Sequence, residues 1–72
     1  MNDDNTLTHD ERIYTQQAMR EYGGSFVSAL SNAWAQADQY NSARIEAAFS
    51  DYVALYGPGS LFYKNVTERS KS

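Results

Sequence analysis

Few side chains in this sequence could do chemistry, and they are scattered. His9 is the single histidine of the chain. Nucleophilic catalysis needs a serine, threonine or cysteine beside a base that a third group orients, and His9 stands alone at the start of an expected helix, where it reads as a solvated residue beside a cap. The carboxylate pairs Asp10 with Glu11 and Glu46 with Asp51 have the composition for acid–base work or for a magnesium ion. Helical spacing puts both pairs on polar faces without apolar walls, so they read as solvated charge. No cysteine is present, which removes thiolate zinc sites and disulfides. Gly23-Gly24 lacks the lysine and spacing of a phosphate loop, and Asn65-Val66-Thr67 matches a glycosylation sequon that has no meaning without a secretory signal. The expectation is a chain with no catalytic residue, no metal ligand and no cofactor.

The elements that must position these residues are helical. Thr8 and Glu11 have capping-box spacing, so a first helix is expected from His9. On it Tyr14, Ala18, Met19 and Tyr22 share one arc, with Arg12, Gln16 and Arg20 elsewhere and Ile13 off the stripe. Gly23 and Gly24 end that helix, and Ser25 is the expected cap of the next. Phe26, Val27, Ala29, Leu30, Ala33, Trp34 and Ala37 then cover one face, opposed by Ser28, Ser31, Asn32, Gln36 and Asp38. A short break is expected between Asp38 and Ser42, capped by Asn41 or Ser42, with a continuous helix from Ser25 to Tyr56 as the alternative. Ile45, Ala48, Phe49, Tyr52, Val53 and Tyr56 form the apolar face of a third helix, which Gly57-Pro58-Gly59 stops.

The fold class predicted is all-α: a small three-helix domain, a hairpin of the second and third helices plus an N-terminal one, with flexible termini. Its parts are a flexible lead over 1–7, a helical domain over 8–57 and a C-terminal tail over 58–72. In that tail Leu61, Phe62 and Tyr63 form an apolar triplet too short to assign by periodicity. It either folds back as a lid or offers an anchor to another protein.

Composition narrows the function. A 72-residue chain holds one domain, and a core of that size supplies about 3–5 kcal/mol, so self-association is the remaining source of stability. Six tyrosines lift the aromatic share to 14%, which suits a half-buried interface. Net charge is −3 and the pI about 4.8, so no positive field awaits a phosphate backbone. Arg44 is the sole cation of the third helix, which argues against a helix-turn-helix DNA reader. No apolar run approaches a membrane span, and the acidic start, Met1 to Asn5, is unlike a signal peptide. The expected address is the cytoplasm.

These features predict a binding module. Ile13, Tyr40, Leu61, Phe62 and Tyr63 are the candidates for its contact surface, with Glu46 and Asp51 as an acidic face able to dock on a basic groove. The run from Tyr22 through Gly-Gly-Ser-Phe-Val-Ser-Ala-Leu-Ser-Asn-Ala-Trp-Ala-Gln-Ala to Asp38, continued by Asn41 and Arg44 to Phe49, resembles a recurrent pattern in small uncharacterised proteins of tailed phages and prophages. The resemblance covers residues 22 to 57, about half the chain, and carries no catalytic residues with it. It implies a genomic setting more than an activity; in that setting the economical use of so small a non-enzymatic protein is as a ligand of a bacterial host protein in the host cytoplasm, such as an inhibitor of a defence complex, a nuclease or the transcription machinery. The same setting allows a virion or assembly accessory, or a weak DNA-binding helical protein. A homodimer would let one chain's exposed stripe complete the other's core.

Overall fold

In a computed structural model of the chain, residues 7–71 are described. They form five helices and no strand: α1 His9–Tyr22, α2 Gly24–Gln36, α3 Gln39–Ala48, α4 Ser50–Tyr56 and α5 Leu61–Lys71. The all-α class holds, whereas the three-helix description gives way to five. Most of the expected flexible lead lies outside the described residues. Its last member, Leu7, is half-buried against the core.

The caps explain the boundaries. Thr8 and Glu11 form the reciprocal box, the Glu11 N–H donating to Thr8 Oγ1 at 3.1 Å and the Thr8 N–H to Glu11 Oε1 at 2.9 Å. At the α1–α2 corner two glycines do different things. Gly24 takes a positive φ of 79°, the conformation that L side chains avoid. At Gly23 a Cβ would strike Val27 Cγ1 and come within 2.6 Å of the Met19 carbonyl oxygen, so the corner is tight because no side chain is there. Helix α2 therefore begins at the glycines and Ser25 is not its cap. The break after α2 falls at Ala37 and Asp38, and it is Asp38 that caps α3, accepting from the Asn41 N–H at 2.8 Å.

Two differences from expectation enlarge the helix count. At Phe49 (φ −119°, ψ 39°) the third helix kinks. The ladder continues on both sides, from Phe49 N–H to the Ile45 carbonyl and from Val53 N–H to the Phe49 carbonyl. The kink re-aims α4 without reversing the chain. The residues read as a tail form α5, which Ser60 caps by accepting from the Tyr63 N–H at 3.1 Å. Phe62 and Val66, four residues apart on one helical face, turn α5 inward. Val66 is fully buried.

The core consists of Ala18 and Met19 from α1, Val27 and Trp34 from α2, Tyr56 from α4 and Val66 from α5. Helix α1 sits at its centre, packing most extensively on α2 and then on α5 and α4. This replaces the expected hairpin of the second and third helices. The reason lies in Ser31 and Gln16, both assigned to polar faces and both buried. Ser31 Oγ donates to the Gln16 carbonyl at 2.7 Å, so a small hydroxyl lets α1 and α2 approach closely with its hydrogen bond made. The radius of gyration is 11.5 Å, against about 11 Å for a compact chain of this length.

Candidate functional site

Two surface features are built by this packing. The first is polar. Trp34, almost fully buried, donates its indole N–H to Ser42 Oγ at 2.9 Å and to Glu46 Oε2 at 3.2 Å. Ser42 Oγ also donates to Glu46 Oε2 at 3.2 Å, and Arg12 Nε reaches the same oxygen at 2.7 Å. Donors from α1, α2 and α3 thus converge on one carboxylate oxygen. This node floors a cavity of about 610 Å³ whose walls include His9, Ile13, Gln16 and Gln39. Its polar groups bond one another, which ties α3 to the α1–α2 pair and makes the node a structural clasp.

The second feature is apolar and lies on the other side of α2. By 100° per residue Phe26, Val27, Ala29, Leu30, Ala33 and Trp34 of α2 span an arc of about 160°, wider than one core contact needs. Val27, Ser31 and Trp34 take the inner part. Phe26, Ala29 and Ala33 are left facing out, with Phe26 57% exposed. Phe26 meets Phe49 and Tyr52 at ring-centroid distances of 6.4 and 6.1 Å, while Phe49 and Tyr52 stack 6.2 Å apart. From Phe49 the surface continues into a groove of about 480 Å³ between α2 and α3, lined by Ala33, Ala37, Asn41, Arg44, Ile45 and Ala48. No ionisable residue occurs from Gly23 to Ala37. The result is one continuous apolar strip along α2, α3 and the start of α4.

The chain matches no protein-family model, no curated protein and no solved structure.

The residues singled out from the sequence fall in several places. Ile13 is 43% exposed and lines the polar cavity together with Glu46. Glu46 is not a solvated charge: Arg12 and the clasp hold it, with its side chain 18% exposed. Asp51 stays exposed in the first turn of α4, where it accepts from the Tyr52 N–H at 2.9 Å. Tyr40 is exposed on α3 with the Arg44 guanidinium 5.4 Å above its ring. Of the triplet, Leu61 points outward at 69% exposure. Phe62 packs between Tyr22 and Tyr56, at 4.9 and 5.1 Å. Tyr63 meets the Tyr14 ring edge-on at 6.0 Å, and burial, followed by the nearby Glu11 charge, pushes its hydroxyl pKa up.

Phe26 and Ala33 lie on the same contiguous apolar arc as Val27 and Trp34, and the breadth of that arc combined with the uncharged run marks them as surface; Phe49, beyond α2, is half-buried beside them.

Among the described residues no three or more histidine, aspartate or glutamate side chains gather as a metal site would require. No helix among them is long and apolar enough to cross a membrane.

Proposed function

We propose that this chain is a non-enzymatic protein-binding module whose contact surface is the apolar strip running from Tyr52 and Phe26 along Ala33 to Ala37. The observation that carries the reading is the placement of the exposed Phe26 and Ala33 beside the half-buried Ile45 and Phe49 on an open, largely apolar surface whose groove is lined by one charged residue, Arg44. Aromatic side chains beside small residues form the kind of shaped apolar patch that anchors a partner. The clasp supports binding over catalysis, because its polar groups are occupied by one another. The resemblance of residues 22 to 57 to small phage and prophage proteins supports a bacterial host protein as the partner and the host cytoplasm as the setting.

The reading is tested by placing a photo-cross-linking residue at Ala33 and, separately, at Ser28 on the opposite side of α2, then irradiating in bacterial lysate. Expected are discrete adducts from Ala33 that excess unlabelled protein competes away and that Phe26→Ser abolishes. Equal, unsaturable labelling from both positions would refute it.

A further inference from the structure

We propose that the strip is self-complementary and that, before a host protein binds it, its occupant is a second copy of this chain, the two α2 helices packed antiparallel; the inference rests on the protein-binding reading of this surface. Phe26 protrudes at the first turn of α2 against Phe49, and the groove that starts at Phe49 runs the length of the helix to Ala37 at its other end. The midpoint between residues 26 and 37 nearly coincides with that between Ala29 and Ala33, both exposed and small. A two-fold axis there brings the helices together over methyl groups and carries each Phe26 into the other copy's groove, about 16 Å along the axis from its own position. A surface that presents both knob and hole at equal distances from one point fits its own copy.

Charge selects the same occupant. Two copies of an acidic chain repel, and net charge here is −3 with eight carboxylates against three arginines in residues 1–57. The surface that can pair without opposing carboxylates is the one without charge, and α2 from Gly23 to Ala37 has none. A face whose groove carries Arg44 as its one charged lining residue gives a strongly charged partner little to steer toward. In the paired state Phe26 meets the groove wall near Arg44, whose guanidinium already lies over the Tyr40 ring, a cation that accepts a second aromatic face. The thin core supplies the remaining reason: six buried apolar side chains among the described residues, one of them alanine, leave stability to be gained by association.

The experiment is sedimentation velocity of the full chain from micromolar to about 1 mM, where association as weak as about −4 kcal/mol still registers. Expected is a concentration-dependent monomer–dimer equilibrium. Ala33→Glu, at an exposed site that spares the fold, raises the dimer dissociation constant at least tenfold with helicity unchanged. Phe26→Ser does so as well. Mixing Ala33→Glu with Ala29→Lys restores a heterodimer, because only antiparallel pairing sets residue 33 against residue 29 of the partner. A monomer at every concentration overturns the proposal, as does a dimer that Ala33→Glu leaves intact or that the mixture fails to restore. If the wild type stays monomeric while cross-links at Ala33 remain specific, the second copy is wrong and the contact surface stands. If those cross-links are also unspecific, both fail.

Discussion

Arg12 on α1 and Trp34 on α2 meet through a single atom, Glu46 Oε2 on α3, at 2.7 and 3.2 Å. A third donor, Ser42, comes from the same helix as the acceptor. Helix α3 contributes no apolar side chain to the buried core. Half-buried Ile45 packs against that core, so the polar node and this apolar contact share the attachment.

Replacing Glu46 tests the polar share. Glu46→Ala removes the acceptor of three donors, although Trp34 keeps its bond to Ser42. A loss of about 1–3 kcal/mol is expected from bonds to a charged, partly buried group. Chemical denaturation followed by Trp34 fluorescence checks it, with Arg12→Ala expected to cost less. A change within about 0.5 kcal/mol, the range of ordinary surface substitutions, would mean that the clasp adds nothing.

The glycine corner makes a steric prediction. Gly23 has φ −91°, which any residue adopts, yet a Cβ there meets Val27 and the Met19 carbonyl oxygen at 2.6 Å. Gly23→Ala is expected to destabilise by about 1–3 kcal/mol through overpacking between α1 and α2. Thermal melting of the variant checks it, and an unchanged or raised midpoint would contradict the close approach.

The attachment of α5 responds to acid. Glu21 is held below its ordinary pKa by the Gln17 hydrogen bond first and by Arg69 of α5 second. A carboxylate with a lowered folded-state pKa adds stability above its unfolded value of about 4.3 and loses it as pH falls through the folded one. The wild type is therefore expected to melt higher than Glu21→Gln at neutral pH, with the difference closing below that range. Both groups are exposed, so the effect is small. A gap that persists at low pH would assign it to packing.

Much of the helical punctuation was legible in the sequence, because caps and glycine stops act locally. Thr8 with Glu11 set the start of α1, and Gly23 with Gly24 set its end. What escaped was the choice of neighbour. Periodicity gives the apolar side of a helix and is silent on which part of a broad arc the core takes, so Phe26 and Ala33 read the same as Val27 and Trp34. Ser31 and Gln16 look polar in a sequence and are both buried at the α1–α2 contact, where the Ser31 hydroxyl donates to the Gln16 backbone carbonyl. Glu46 likewise looks solvated until Arg12, thirty-four residues away, is brought beside it. Helix α5 hid behind the apolar triplet; the spacing of Phe62 and Val66 was its one periodic sign.

The central claim, that the outward strip of α2 and α3 is a contact surface, is tested most directly by methyl NMR with a soluble paramagnetic probe in bacterial lysate. The alanine methyls of Ala33 and Ala48, both groove-lining and exposed, are compared with Ala47, exposed and outside the groove. The account predicts that the first two lose probe broadening in lysate relative to dilute buffer while Ala47 keeps it. Equal broadening of all three in both conditions would contradict it.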